Sequence, residues 1–319
     1  MSSPVNGTHA WPRSSQGEGG VELGPNDGAA LISKTGLPYR LSEHRKNWAT
    51  WFAFFCFDGC VLPIILFYSL WYGSTLTHWT IFTLITSLSF WTSYHKWFSR
   101  GYRLLIKRDP KYRPINGGRW WFDCSYYILS LALLIVIVEL VAATATKDVK
   151  VKVIAMAPPS VLYTIGGYML LQNTAHCLRI RTFVTLSSVK RGSLTPPPLF
   201  TVMEDVFAVD GCHLGLPARH AMLATYNASA RFRNTLMWWS WIWCLACLAV
   251  AVGLSIVVGL VKGTTAFGIT YGVSFPFIVF MSVVTAFWME SRDARGAFSA
   301  PVGQGKALRS VSVRNGRLA

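Results

Sequence analysis

Six long apolar blocks constrain this chain more than any other feature of its sequence. About 20 apolar residues in helical form are needed to cross the hydrocarbon core of a bilayer, and helices of soluble proteins rarely run so long without a polar face. We therefore predict an all-α integral membrane bundle of about six transmembrane helices, with cytoplasmic amphipathic helices and disordered termini. The predicted spans are residues 48–72, 79–94, 120–145, 153–171, 236–261 and 264–289. The second is the shortest, and Pro158 and Pro159 interrupt the fourth.

The distribution of charge gives an independent test of this count. The chain carries 30 Lys and Arg against 14 Asp and Glu among its 319 residues. With six spans and a cytoplasmic N-terminus, 26 of the 30 basic residues fall on the cytoplasmic side. Such a bias is what the positive-inside rule demands. We predict that both termini are cytoplasmic, in the endoplasmic reticulum or plasma membrane, and that the positive charge reflects topology instead of a nucleic-acid partner.

The same pattern divides the chain into five regions. Residues 1–46 are predicted to be a disordered cytoplasmic tail, and residues 290–319 a basic tail of the same kind. Residues 47–171 hold the first four helices and a basic amphipathic loop at 95–119. Residues 172–235 form a cytoplasmic loop, and residues 236–289 hold the last two helices. A helical stretch that begins at Pro217 is expected to run into the fifth span.

Basic and aromatic residues alternate over positions 96–113, as in a helix that lies on a membrane surface. Each cation near an anionic leaflet contributes about 1 kcal/mol of attraction. We predict lipid contacts for Arg100, Arg103, Lys107 and Arg108. The general interpretation is anchoring and orientation, and the sharper alternative is a specific site for a lipid headgroup or an anionic substrate.

An acidic motif, MEDVFAVDG, occupies residues 203–211 of the cytoplasmic loop. Its carboxylates Glu204, Asp205 and Asp210 are the predicted contacts for a partner or for lipid. Further positions of the pattern follow just before a Trp-rich span, namely Arg219, Tyr226, Ala228, Ser229, Phe232 and Arg233.

This combination resembles a group of fungal polytopic membrane proteins of unassigned function that share an EDVxAVDG-type loop motif. The sequence departs from their pattern at Cys212-His213-Leu214, where those proteins carry a glycine-rich stretch, and at Thr225, where they carry arginine. The resemblance implies a polytopic topology, a fungal origin and an accessory role in secondary metabolism. It implies no catalytic residue.

Two carboxylates inside the predicted spans are the candidates for catalysis. Asp58 lies near the middle of the first span and Glu139 in the outer part of the third. A charge at the bilayer centre costs roughly 2.5–3.5 kcal/mol on insertion scales, and such residues commonly face the bundle interior. Asp58 is therefore a candidate proton donor, with a simple interhelical hydrogen bond as the alternative for both residues. Asp123 is near Arg119 at the cytoplasmic interface, where an ordinary ion pair is expected.

No cofactor is expected, because the Cys and His residues lack regular zinc spacing and no nucleotide-binding or serine-nucleophile motif occurs. Three hypotheses stay open. The first is an accessory protein that binds membrane lipids or protein partners through loop 172–235. The second is a membrane enzyme, such as an acid-initiated cyclase, that uses Asp58 on a lipophilic substrate. The third is a transporter of a lipophilic small molecule.

Overall fold

The computed structural model describes residues 45–102, 114–115, 123–145, 149–211, 215–296 and 298. Within these ranges the chain is helical, and its β-structure is limited to two isolated bridges, Arg181 with Leu194 and Leu186 with Val189. Apart from Arg45 and Lys46 in the first tail and residues 290–296 and 298 in the second, the predicted terminal tails lie outside the described residues. So does most of the predicted surface helix, including Arg103, Lys107 and Arg108.

Ten α-helices and two π-helical segments follow one another along the described chain. The first half contains α1 (Arg45–Cys56), π1 (Phe57–Val61), α2 (Leu62–Gly73), α3 (His78–Gly101) and α4 (Cys124–Thr144). The second half contains α5 (Val151–Ile154), α6 (Ala157–Cys177), α7 (Pro198–Asp205), π2 (Val206–Gly211), α8 (Leu216–Ala228), α9 (Ala230–Leu260) and α10 (Gly263–Ala294).

Five of the helical stretches in the described residues are long and apolar enough to cross a membrane. They are Trp48–Gly73, Cys124–Thr144, Val151–Cys177, Ala230–Leu260 and Gly263–Asp293. The chain is thus an all-helical membrane protein with five apolar spans, each of which coincides with a predicted span. The remaining predicted span, 79–94, lies inside α3, which has 24 residues but is not one of the five.

The helices define two ends of the bundle through their contacts. At one end, which we call the far end, Trp71 of α2 stacks on His78 of α3 with ring centroids 4.1 Å apart. Tyr68 of α2 also donates a 3.0 Å hydrogen bond to the carbonyl oxygen of Thr264, near the start of α10. At the opposite end, which we call the cluster end, Arg100 at the close of α3 meets Asp123, which caps the start of α4.

Two groups of buried apolar side chains hold these helices together. The larger lies where α9 packs along α6 and includes Leu162, Met169, Leu236, Cys244 and Cys247. The smaller fills the far end around Phe67, Phe82 and Phe267, with Phe67 and Phe267 only 4.3 Å apart between ring centroids.

Several predicted boundaries differ from the observed ones for local reasons. Pro158 and Pro159 lie in the first turn of α6, where a missing N–H costs nothing, so they begin the helix instead of interrupting it. The stretch from Pro217 does not continue into the fifth span, because Ser229 ends α8 and caps α9 by accepting a 3.2 Å hydrogen bond from the Phe232 N–H. Helix α10 continues to Ala294, beyond the predicted end of its span.

Gly59 marks the tightest contact between π1 and α10. A methyl group at this position would lie 2.4 Å from the Phe275 ring, well inside van der Waals contact. We expect Gly59→Ala to destabilise the protein by about 1–3 kcal/mol, the usual cost of overpacking. Gly253→Ala is the matched control, because nothing lies within 4 Å of its added methyl group. Thermal denaturation in detergent measures both, and an equal response of the two variants would contradict the close contact.

Candidate ionic site

A fully buried arginine is the centre of the most unusual group of side chains in the fold. Arg219 of α8 has 0% relative exposure. Its Nη1 donates to Glu204 Oε1 at 2.8 Å and to Asp205 Oδ1 at 2.9 Å, and its Nη2 lies 3.8 Å from Asp123 Oδ2. Arg100 completes the group by placing Nη2 2.5 Å from the same Asp123 oxygen. We call these five residues the ionic cluster.

The five members of the cluster come from four parts of the chain. Asp123 is the N-cap of α4 and accepts a 3.0 Å hydrogen bond from the Tyr126 N–H. Glu204 and Asp205 form the last turn of α7, a helix whose start is set by the proline run before Leu199. Helix α8 begins after Gly215, whose φ of +65° is accessible to glycine at little cost, and this turn directs Arg219 back towards α7. The cluster therefore ties α3, α4, α7 and α8 together.

A hairpin at residues 178–195 inserts its turn into the cluster. The hairpin is closed by backbone hydrogen bonds such as Thr182 N–H to Ser193 O at 2.8 Å and Leu186 N–H to Val189 O at 3.1 Å. Ser187 in the turn donates to Asp205 at 2.8 Å, and Ser188 donates to Glu204 Oε1. Ser187 has a φ of +46°, which is unfavourable for a residue with a side chain. Its hydrogen bonds to Asp205 hold it in that conformation.

A second set of donors reaches Asp205 from the start of α4. The backbone N–H and the hydroxyl of Ser125 each donate to Asp205 Oδ2 at 3.1 Å. Asp205 thus accepts hydrogen bonds from α4, from the hairpin and from Arg219. This side chain alone connects three elements that are distant in sequence.

Burial shifts the acid–base behaviour of the cluster. It raises the pKa of Glu204 to about 7, with Arg219 opposing and Asp205 adding to the shift. It raises the pKa of Asp123 to about 6, with Asp205 adding and Arg100 opposing. Three carboxylates facing two guanidinium groups explain both directions, because one proton on the acids brings the buried charges into balance. Burial lowers the pKa of Arg219, but Asp205 and Glu204 raise it by more, so Arg219 stays charged.

The sequence that folds into this geometry matches a known protein family. A family model described as a domain of unknown function, DUF8766, matches residues 27–298. The chain belongs to the DUF8766 family. Neither a curated protein nor a solved structure matches it. All five residues of the ionic cluster lie within the segment that the DUF8766 model covers.

The structure brings together three of the predicted site residues of this DUF8766 protein. Glu204 and Asp205 are both fully buried and face Arg219, so their carboxylates have no exposed surface to offer a partner. Arg100, predicted to contact lipid, is 8% exposed and pairs with Asp123. Arg119, the cation nearest to Asp123 in the sequence, lies outside the described residues. Asp210 lies in π2, and its side chain is outside the described part of the structure.

The two predicted catalytic carboxylates lie on other elements, π1 and α4, and are not members of the ionic cluster. Asp58 is buried in π1, the π-helical interruption of the first span. Glu139 accepts a 2.5 Å hydrogen bond from the Ser160 hydroxyl, which links α4 to α6. Among the described residues, no group of three or more His, Cys, Asp or Glu side chains has the arrangement of a metal site.

Sequence reasoning missed the partners that complete the cluster. Arg219 was identified only as part of the family-like pattern, and Ser187 and Ser188 were not singled out. The single usable signal was the presence of Arg219 in the same motif region as Glu204 and Asp205, 15 and 14 residues away. That spacing fixes no contact, because a turn of unpredictable geometry separates α7 from α8.

Proposed function

We propose that this protein is a membrane-embedded accessory protein that recruits a partner protein through the hairpin at residues 178–195. The observation that carries the proposal is an exposed surface of apolar and basic side chains on this hairpin. Phe183 is 79% exposed, Val184 is 62% exposed and Leu194 is 61% exposed. Contiguous exposed apolar patches with a polar rim mark sites that bind a protein or a membrane.

The charge of the hairpin indicates the chemistry of the partner. Residues 178–195 include four cations, Arg179, Arg181, Lys190 and Arg191, and no Asp or Glu. All four cations are exposed. A partner surface that combines apolar pockets with carboxylates would complement this hairpin, and arginines and aromatic residues are the side chains that most often dominate binding energy at interfaces.

The ionic cluster supports the proposal by fixing the hairpin before binding. Ser187 and Ser188 hold its turn against Asp205 and Glu204, so the exposed stem projects from a rigid base. A surface that is already ordered loses less conformational entropy on association than a flexible loop does. In this proposal Glu204 and Asp205 act through the hairpin and do not touch the partner.

The proposed topology places the hairpin in the cytosol. Helix α3 connects the far end to the cluster end, and its 24 residues extend about 36 Å, enough to cross the bilayer core. Counting it as the sixth span puts both termini at the cluster end, where the basic residues concentrate. The membrane would be the endoplasmic reticulum or the plasma membrane. A fungal origin and service to a secondary-metabolite pathway, which the sequence resemblance suggests, belong to this proposal.

A photoreactive residue tests the partner proposal. We expect benzoylphenylalanine in place of Val184 to crosslink one cellular protein, and Phe183→Ser in the same chain to lower the adduct yield at least tenfold, as loss of a central aromatic contact of about 2 kcal/mol would. Benzoylphenylalanine in place of Leu260, which is 82% exposed at the far end, is the matched control. Adducts only to lipid at position 184, or the same proteins at both positions, would contradict the proposal.

The π1 segment favours one second candidate, an enzyme that uses Asp58. Single-turn π segments inside helices often occur at functional sites, and Asp58 is buried within this one. Cells that lack the protein and are rescued by wild type or by Asp58→Asn, at matched membrane levels, distinguish the candidates. Failure of Asp58→Asn with accumulated precursor supports the enzyme, and failure with trapped product supports a transporter. Full rescue supports the accessory role.

A further inference from the structure

A second surface of the cluster end carries a different kind of site. The first turns of α9 and the last turns of α10 enclose a groove of about 530 Å³. Its lining combines two cations with a row of aromatic and aliphatic side chains. The lining residues are Arg231, Asn234, Thr235, Trp238, Trp239, Ile242, Trp288, Arg292 and Phe298.

We propose that this groove binds one anionic phospholipid, with its phosphate on Arg231 and Arg292 and an acyl chain along Trp238 and Ile242. The position fits this ligand, because the groove begins at the helix ends and continues towards the apolar middle of the two spans. Trp238 follows Arg231 by seven residues and Ile242 follows Trp238 by four on α9, so all three lie on one side of the helix. This face runs from a cation to an apolar surface, in the order that a lipid presents phosphate and chain.

The exposed aromatic surface has an interfacial character. Trp238 is 73% exposed, and tryptophan favours the headgroup level of a bilayer. The Arg292 guanidinium lies over the Trp288 ring, 4.8 Å from its centroid. This contact holds the planar guanidinium and its N–H donors at the groove. A guanidinium in this setting suits a phosphate, because its donors match the phosphate oxygens in pairs.

The groove has a positively charged lining and a side wall formed by an aromatic residue. Glu290 and Asp293 occupy the same turns of α10 but do not line the groove, so its two charged lining residues are cations. Phe298, after the end of α10, folds back and packs its ring edge-on against Phe232 at 5.1 Å between centroids. Phe298 thus forms one side of the groove.

Native mass spectrometry of the full-length protein in detergent tests this proposal. We expect wild type to retain one added phosphatidylserine and to prefer it over phosphatidylcholine. The double variant Arg231→Gln/Arg292→Gln should bind it about 30-fold more weakly, from about 1 kcal/mol for each cation near an anionic headgroup. The matched control is Lys150→Gln/Lys262→Gln, which removes two exposed cations from the lining of a groove at the far end.

Three outcomes would overturn the inference. Equal retention of phosphatidylcholine would remove the headgroup specificity, and unchanged binding by the double variant would remove the site. Displacement of the lipid by soluble glycerol phosphate alone would assign the groove to a free phosphate compound. If the double variant accumulates poorly, Arg292→Gln alone provides the comparison, with binding weakened about fivefold for the loss of one cation. The hairpin residues are unchanged in all these variants, so the partner proposal stands or fails separately.

Discussion

Arg219→Gln is expected to lower the free energy of unfolding by about 3–5 kcal/mol, the largest effect of any single substitution considered for this protein. The cause is that the substitution leaves buried carboxylates without the cation that pairs with them. Glu204, Asp205 and Asp123 are all fully buried, and among the described residues Arg219 is the cation that pairs with Glu204 and Asp205, through Nη1. Glutamine reaches fewer oxygens and brings no charge, so three buried carboxylates would share one cation, Arg100.

Arg233→Gln is the matched control for this prediction. Arg233 lies near the start of α9, and its Nη1 donates to the carbonyl oxygens of Tyr226 and Asn227 at 2.8 and 3.0 Å. Its contacts in the described part of the chain include no buried acid. Its loss should cost about 1 kcal/mol. Thermal denaturation of both variants in the same detergent gives the comparison. A melting temperature for Arg219→Gln equal to that of Arg233→Gln would show that the cluster contributes little to stability.

A triple variant distinguishes the effect of the buried charges from the effect of side-chain packing. Combining Arg219→Met with Glu204→Gln and Asp205→Asn removes the charges of α7 and α8 together, and buried ion pairs are often replaceable by neutral groups without loss of stability. We expect the triple variant to melt well above Arg219→Gln. The hairpin would lose part of its anchorage at Ser187, so crosslinking from position 184 should fall even where stability recovers.

The spans were predictable from sequence because their signal is local. The block 236–261 became α9 and the block 264–289 became α10, since apolar length alone requires a helix in a bilayer. The helix ends were less predictable. Ser229 ends one helix and caps the next with a single side-chain hydrogen bond, and no apolar pattern records such a cap.

The ionic cluster was not predictable because its contacts are not local. Arg100 and Asp123 are 23 residues apart and meet only because α3 and α4 share an end of the bundle. In the sequence, Arg119 is the cation nearest to Asp123, and no local pattern indicates the more distant Arg100 as its partner. The acidic motif is visible in the sequence, but whether Glu204 and Asp205 are exposed or buried depends on where α8 returns the chain.

The second large effect concerns pH. The pKa of Glu204 is raised from 4.5 to about 7 and that of Asp123 from 3.8 to about 6, so the folded protein holds more protons than the unfolded chain between about pH 4 and pH 7. Stability falls with rising pH wherever the folded state binds more protons. We therefore expect the contribution of the cluster to be greatest below about pH 4 and to decline through the window up to about pH 7.

Glu204→Gln isolates this contribution from every other titrating group. Glutamine resembles the protonated acid, and its carbonyl oxygen can still accept from Arg219 and Ser188 as Glu204 Oε1 does. We expect the melting temperature of wild type to fall more than that of Glu204→Gln between pH 5 and pH 8, with the variant the more stable of the two at pH 8. Parallel pH profiles would mean that Glu204 is ionised throughout, and the cluster would then carry a net negative charge that its hydrogen bonds alone must offset. Because the same protons balance the charge beneath the hairpin, the yield of crosslinks from position 184 should follow the melting profile in wild type. It should change less with pH in Glu204→Gln, in which Asp123 still titrates.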